Sequence, residues 1–260
     1  MRTWIDINNQ RIRYINYGAI LLRRAFTDAR LSIAKHWAET GDVTSLPGRT
    51  NMTVSVRTAL EEMYASTGVA FAETELMLLK SGRPTMTVKA DLSGVWRRHM
   101  IEFVRTRCGH KITKIVETYF DDIVAITQGV IRMAADEGWG AARVAREIMK
   151  KQGVIDDYRA MRIARTEVVG ASNEGSYIGA NATGIKTVKK WIATADVNTR
   201  DDHAAMNGQQ VPHEEPFSVG GESLMYPGDP SGSAAQVINC RCACSYRPET
   251  SYIDQLLNNE

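Results

Sequence analysis

Apolar residues in the first half of the chain recur at alternating intervals of three and four positions, which is the pattern of amphipathic helices. After a break at Pro47-Gly48, a second helix is predicted from about 53 to 79. A third helix follows Asp91, and a strongly periodic fourth follows Gly109. These segments carry no complete set of catalytic side chains. The sequence therefore predicts that this half is a helical scaffold.

The first predicted helix has a narrow apolar stripe that admits two interpretations. In one, the stripe packs against neighbouring helices of the same chain. In the other, it faces a partner subunit, with the surrounding arginines at the rim of the contact or near phosphate. The candidate partner-binding residues are Ile12, Ile15, Leu22, Phe26 and Ile33.

A helix with one face of small residues is predicted to open the second half of the chain. Asp156 and Asp157 are suited to cap its N-terminus. Glu167 falls at the edge of the small-residue face, where burial without a partner would be costly. We expect Glu167 to pair with Arg200 or Arg241. A catalytic role and a solvated surface position are the alternatives.

Short strands and turns are predicted to follow this helix. Residues 187–193 alternate as a strand, and Trp191 lies within it. Thr199 stands at capping-box spacing before Asp202, and Gly208 is placed to end the short helix that this box would start. The chain is therefore predicted to be an α+β protein, with a mainly helical N-terminal half and a small mixed C-terminal domain.

Cysteines dominate the last predicted strand. A period of two places Cys240, Cys242 and Cys244 on one face of it. They are either small core residues or metal ligands. In the second interpretation, His203 joins Cys240 and Cys242 in a tetrahedral zinc site, and Cys244, His213 or a carboxylate supplies a further ligand. Zinc is the one cofactor that the sequence suggests.

Composition limits the classes of function. The chain has 260 residues, of which 43% are hydrophobic and 24% charged, as in soluble globular proteins. Its net charge of +2 gives no overall attraction to nucleic acid, so DNA contact would need a local basic patch. We expect no membrane span and no signal peptide. The protein is therefore expected to be made in a reducing cytoplasm, with its cysteines as thiols or ligands.

The polar residues of the second half, in their order and spacing, resemble one known family. The residues that carry the resemblance are Arg162, Arg165, Glu167, Asn173, Trp191, Asp196, Thr199, Arg200, His203, Gly208, Asp229, Asn239, Cys240, Arg241 and Cys242. Over about 140–246 the chain is similar to the Mu F-like minor head proteins of tailed bacteriophages, also called the phage head morphogenesis domain. The predicted domains are a helical scaffold and partner-binding region at 1–137, a Mu F-like domain at 138–247, and a C-terminal tail at 248–260.

The resemblance implies a minor structural protein of the phage head rather than an enzyme. Such a protein would lie near the portal vertex in several copies, bind the portal protein and other head proteins, and act in head assembly. Contact with packaged DNA, or a role in its packaging or exit, is a further expectation. The family domain also occurs joined to toxin-like domains such as ADP-ribosyltransferases. Two alternatives therefore stay open, which are a nuclease or transferase-like enzyme using Glu167, Arg200 and His203, and a DNA-binding head protein.

Overall fold

Long helices form the first part of the fold, and short strands follow them. The computed structural model describes residues 2–41, 45–81 and 91–249. The helices in these ranges are α1 (Trp4–Thr40), α2 (Arg49–Ser81), α3 (Ser93–Arg107), α4 (Gly109–Glu137), α5 (Ala141–Asn181), α6 (Asp201–Ala205) and α7 (Ala234–Val237). The strands are β1 (Thr187–Ile192), β2 (Gln210–Pro212), β3 (Phe217–Val219), β4 (Glu222–Leu224) and β5 (Ala243–Pro248). This order confirms the prediction of an α+β fold with a helical N-terminal half.

Local sequence defines both ends of α1. The Thr3 side chain accepts a hydrogen bond from the Asp6 backbone N–H, and the Asp6 carboxylate accepts one from the Thr3 N–H, which is a complete capping box. At the other end, Gly41 adopts a left-handed conformation with φ of 69°, and its N–H donates to the carbonyl of Trp37. The helix is therefore limited to 37 residues by its own termini.

The apolar stripe of α1 faces the interior of the same chain. Leu22, Phe26 and Ile33 are at most 1% exposed and pack among residues of α2, α4 and α5. The prediction that these three bind a partner is therefore wrong, because no partner can reach them. Ile15 is partly buried at the edge of this core. Ile12 alone of the five predicted residues is exposed, at 47%.

A single helix of 41 residues, α5, runs through the point near Asp156 where the sequence predicts that a helix begins. It begins after Gly140, so Asp156 and Asp157 lie inside it and cap nothing. Asp156 instead accepts hydrogen bonds from Gln152 of the same helix and from Arg30 of α1. Because these polar residues continue the buried face of the helix with satisfied partners, the helix passes through them without a break.

Small residues bring α5 against α2 at backbone distance. A Cβ atom built on Gly175 would lie 2.3 Å from the carbonyl oxygen of Gly68. One built on Gly179 would lie 2.4 Å from that of Ala72. This confirms that the small-residue face of α5 serves close packing.

The strands form a three-stranded antiparallel sheet and a separate hairpin. The order in the sheet is β2-β1-β5, with Trp191 of β1 opposite Cys244 of β5. The hairpin pairs β3 with β4. Trp191 and Phe217 are fully buried between them, with ring centroids 5.2 Å apart at 79°. The predicted strand at 187–193 is thereby confirmed to within one residue.

Two local predictions in this region are wrong. The last strand begins at Ala243, because α7 ends at Val237 and Asn239 then takes a left-handed conformation with φ of 56°. The residues before Ala243 therefore form a loop and not a strand. Thr199 does not cap α6, which begins at Asp201; its hydroxyl donates instead to the carbonyl of Thr194 at 2.5 Å.

None of the helices in the described ranges is both long enough and apolar enough to cross a membrane. Most of the predicted C-terminal tail, residues 250–260, lies outside these ranges. The division of the chain at 137/138 remains a prediction.

Candidate metal centre and surrounding motif residues

Asn173 connects α5 to the loops that surround the candidate metal centre. Its side-chain N–H groups donate to the carbonyls of Pro227 and Cys242, at 2.7 and 3.3 Å. Its Oδ1 accepts from the backbone N–H of Cys244 and from Arg11, both at 3.1 Å. All four polar contacts of this amide are thus directed at other elements, which fixes the C-terminal loops on the helix.

Arg11 of α1 completes this network, and its role was not predicted from the sequence. Its guanidinium is 1% exposed and donates to Ser172 Oγ at 2.7 Å and to the carbonyls of Arg241 and Cys242 at 3.1 and 3.2 Å. Burial lowers the pKa of Arg11 to about 10, and the thiols of Cys240 and Cys242 oppose that shift. The side chain stays charged at neutral pH within a cage of oxygen acceptors.

Glu167 is buried, but its partners are not the predicted arginines. Its carboxylate accepts from Tyr64 at 2.9 Å and pairs with Lys111 Nζ at 3.1 Å. Burial and the Glu167 charge together raise the pKa of Tyr64. The prediction that Glu167 pairs with Arg200 or Arg241 is therefore wrong. The cation is Lys111 of α4, a helix that carries none of the motif residues.

The two predicted arginines instead tie together the turns around the cysteines. The two terminal nitrogens of Arg241, Nη1 and Nη2, each donate to one oxygen of the Asp196 carboxylate. The distance from Nη2 to Oδ1 is 2.6 Å. This ion pair lowers the pKa of Asp196. Arg200 donates to the carbonyl of Ile238 at 2.6 Å, and the N–H of Asn239 donates to Thr166 Oγ1 of α5 at 3.0 Å.

The remaining motif residues shape the chain or lie at the surface. Gly208 has φ of 86° in the turn before β2. The carboxylate of Asp229, 2% exposed, accepts from the backbone N–H groups of Met225 and Ser231. Arg162 is exposed, and Arg165 is partly exposed. The structure therefore gives Gly208 and Asp229 a structural role and leaves these two arginines available to solvent.

His203, Cys240 and Cys242 meet in one buried cluster, as the zinc interpretation requires. His203 Nδ1 lies 3.6 Å from the sulfur of Cys240 and 3.5 Å from that of Cys242. The three ligand atoms all lie within 4.8 Å of one another, and each residue is at most 2% exposed. Across the described ranges, Cys244 and His213 do not join this group. The clustering is a geometric finding, and metal binding remains a prediction.

Gln236 and Asp202 hold His203 on the side away from the cysteines through three hydrogen bonds. Its Nε2 lies 2.7 Å from Gln236 Oε1, and Gln236 Nε2 donates to Asp202 Oδ2 at 2.6 Å. The other carboxylate oxygen of Asp202 accepts from the backbone N–H of His203 at 2.9 Å. Because an amide oxygen can only accept, His203 carries a proton on Nε2 and directs Nδ1 at the sulfurs. Sequence reasoning missed Gln236, which no motif or periodicity distinguishes.

The thiols of the cluster are unequal. The hydrogen bond with Cys240, aided by His203 and the backbone N–H of Thr194, lowers the pKa of Cys242 to about 4. The same contact, together with burial, raises the pKa of Cys240. Burial lowers the pKa of His203, but its hydrogen bonds with Cys242 and Gln236 outweigh that effect and raise it. The cluster thus favours a thiolate at Cys242, which is the form of the side chain that binds a metal ion.

Comparison with known proteins identifies the part of the chain that holds this centre. The family described as "Phage Mu protein F like protein" matches residues 125–245. A protein of Enterococcus faecalis named NAD(+)–arginine ADP-ribosyltransferase EFV is 32% identical over 137 residues, which are 52% of this chain and 28% of that protein. A Bacillus subtilis protein, "Uncharacterized protein YqbB", is 30% identical over 101 residues, 37% of this chain and 33% of that protein.

The chain therefore spans a third or less of the length of these two relatives. No solved structure matches it. The family match contains all of α5, the strands β1 to β4, the first residues of β5, the candidate metal centre and all the motif residues described above. The match over residues 125–245 supports a relationship between this part of the chain and the phage Mu protein F-like family.

Proposed function

We propose that this protein is a minor structural protein of a tailed-phage head, bound at the portal vertex and active in head assembly. The family match over 125–245 carries the proposal, because the Mu F-like family points to phage head morphogenesis. The protein would act in the virion, in several copies near the portal. Its motif residues would maintain the fold, since Asn173, Asp196 and Arg241 bond to other parts of the same chain.

The outward face of α1 supplies a surface for such a partner. The apolar side chains exposed there are Ile5 at 63%, Ile12 at 47%, Ile20 at 46% and Leu31 at 52%. At 3.6 residues per turn, these four positions fall within a sector about 100° wide on one side of the helix. This sector, and not the buried stripe, is the surface that we propose contacts the portal protein.

Co-expression with the portal protein of the same phage tests this proposal. The wild-type chain should co-purify with the portal protein, and an Ile12→Asp/Ile20→Asp variant should not. Val95→Asp is the matched control, because Val95 is 50% exposed on α3 and lies outside the sector. Point changes are preferable to removal of α1, whose inner face belongs to the core. A wild-type chain that fails to bind, or a double variant that binds as well, would contradict the proposal.

An enzyme is the second candidate, and the Enterococcus faecalis relative is the observation that favours it. That protein is named an arginine ADP-ribosyltransferase, although the match covers 28% of it. The proposed enzymatic residues have separate partners here, as Glu167 bonds to Tyr64 and Arg200 to the carbonyl of Ile238. Assays of the purified protein on DNA, on RNA and on NAD⁺ with arginine decide the matter. An activity that His203→Ala abolishes would replace a purely structural function.

Packaged DNA is a further candidate partner, through local basic patches. Arg13 and Arg24 are exposed on α1, and Arg162 is exposed on α5. If these arginines contact phosphates, binding to duplex DNA should weaken steeply with rising salt concentration. A slope of log affinity against log salt near zero would exclude the DNA-binding function.

A further inference from the structure

We propose that His203 Nδ1 and the sulfurs of Cys240 and Cys242 bind one Zn²⁺ ion, whose fourth position is taken by a water molecule. The ion would join α6, which carries His203, to the loop between α7 and β5, which carries both cysteines. This inference does not rest on the proposed function, because metal binding is measured on the isolated chain.

The distances in the cluster fit a tetrahedral metal better than a hydrogen bond. With zinc bonds of about 2.0–2.1 Å to nitrogen and about 2.3 Å to sulfur, tetrahedral angles place the two ligand atoms about 3.5–3.6 Å apart. His203 Nδ1 lies 3.6 Å from Cys240 Sγ and 3.5 Å from Cys242 Sγ. One ring proton cannot be directed at two sulfurs at once, whereas a metal ion held between all three atoms satisfies both distances.

The contacts behind His203 are those that a metal-binding histidine requires. Because Gln236 Oε1 accepts the Nε2 proton at 2.7 Å, the lone pair of Nδ1 is directed at the sulfurs. Asp202 holds the Gln236 amide in this orientation by accepting from its Nε2. Gly220 allows the pair to meet, since a Cβ there would lie 2.5 Å from both Asp202 Oδ2 and Gln236 Nε2. Gln236 and Asp202 thus determine which nitrogen of His203 is free to bind the ion.

Thr194 offers a contact for the fourth ligand. Its backbone N–H donates to the sulfur of Cys242, so the residue adjoins the centre. Its hydroxyl oxygen is buried and has no hydrogen-bond partner among the described residues. A metal-bound water would supply that partner. Two thiolates and an imidazole are the ligands that zinc prefers in a buried site, which favours zinc over hard cations such as Mg²⁺ or Ca²⁺.

Metal content of the purified chain is the first test. Protein prepared without chelator, and then supplied with Zn²⁺ and desalted, should hold about one zinc per chain by elemental analysis. Cys240→Ser and Cys242→Ser should lose it. Cys244→Ser is the matched control and should keep it, because Cys244 is an equally buried thiol on β5 outside the group. Cobalt substitution should give thiolate-to-metal absorption in the wild type and in the control only.

Several results would overturn the inference. One is a folded wild-type chain that takes up no zinc. Another is zinc retained by both cysteine variants, which would place the metal elsewhere. A third is a disulfide between Cys240 and Cys242 in protein purified under reducing conditions, detected as two missing thiols, since oxidised sulfurs cannot be thiolate ligands.

A change behind the ligand provides a test that leaves all three ligands in place. Gln236→Ala should weaken zinc affinity about 10–100-fold in competition with a chromophoric chelator, because His203 loses the acceptor that orients it. Gln209→Ala is the control, since Gln209 is exposed and its side chain donates to the carbonyl of Ala205, away from His203. Equal affinities of the two variants would show that His203 is not oriented in this way, and would count against it as a ligand.

Discussion

Arg11 of α1 and Asn173 of α5 share a hydrogen bond of 3.1 Å at a point where the helices meet the C-terminal loops. The same guanidinium reaches the carbonyl of Cys242, and the same amide holds both that carbonyl and the N–H of Cys244. The pair thus joins the first helix to the residues that flank the candidate metal centre. Residue 11 lies outside the family match, whereas Asn173 lies within it. The N-terminal helix is therefore part of what holds the Mu F-like region in shape.

Arg11→Lys should destabilise the protein even though it keeps the charge. A lysine amine cannot reproduce the planar guanidinium that donates to Ser172, Asn173 and the loop carbonyls. Because Arg11 is only 1% exposed, water cannot replace the hydrogen bonds that these acceptors would lose. We expect the free energy of unfolding in urea to fall by about 2–4 kcal/mol.

Arg13→Lys serves as the control for this experiment. Arg13 is exposed on the same helix and bonds to Tyr14, so its replacement should change stability by less than about 0.5 kcal/mol. Equal effects of the two changes would contradict the role of Arg11.

Gly175→Ala should strongly destabilise the contact between α5 and α2. The new methyl group would lie 2.3 Å from the carbonyl oxygen of Gly68, and a backbone atom cannot rotate away. Separating the helices should cost about 1–3 kcal/mol. Gly129→Ala should have the opposite effect on the free energy of unfolding, because nothing lies within 4 Å of a Cβ built at that position in α4. This control should gain about 0.5–1 kcal/mol from helix propensity. A stabilised Gly175→Ala variant would rule out the close approach.

Burial of Glu75 should make stability depend on pH. Glu75 is 4% exposed, and burial raises its pKa from 4.5 to about 7 against the opposing effect of Arg2. The folded state then binds the proton more tightly than the unfolded state. The stabilisation is complete below about pH 4.5 and is lost as the pH rises through about 7.

Glu75→Gln should remove this dependence. The unfolding free energy of the variant, minus that of the wild type, should increase from pH 4.5 to above 7 by up to about 3 kcal/mol. Urea titrations across this range measure it. Glu73→Gln is the control, because Glu73 is exposed on the same helix. The unfolding free energy of this variant should differ from that of the wild type by the same amount at every pH. A difference for Glu75→Gln that is also flat would contradict the raised pKa.

Features governed by nearby residues were predictable from the sequence. The helical periodicity and the strand around Trp191 are examples. Features that depend on distant partners were not. The continuous α5 was missed because Asp156 resembles a cap until Arg30, 126 positions away, is known to neutralise it. The meeting of His203 with Cys240 and Cys242 followed from one of the two interpretations of the cysteines, although the strand that suggested it is partly a loop. Both cysteines are nevertheless buried beside His203 of α6.

Lys111 provides the clearest case of a partner that the sequence did not identify. Glu167 needed a cation because of its burial, and many lysines and arginines were available; only the packing of α4 on α5 selects Lys111. Lys111→Met should leave a buried carboxylate with Tyr64 as its remaining partner and cost about 3–5 kcal/mol in urea unfolding. Lys114→Met, at an exposed site of the same helix, should cost less than about 0.5 kcal/mol.

A second substitution distinguishes loss of the ion pair from loss of packing around Lys111. Adding Glu167→Gln to Lys111→Met removes the buried charge, so the double variant should recover most of the lost stability. If the two losses simply added, the cost of Lys111→Met would come from its aliphatic chain, and the pair would not be what stabilises this part of the core. Recovery would instead show that α4 is held against α5 by neutralisation of Glu167, which makes a helix without motif residues necessary to the region that carries them.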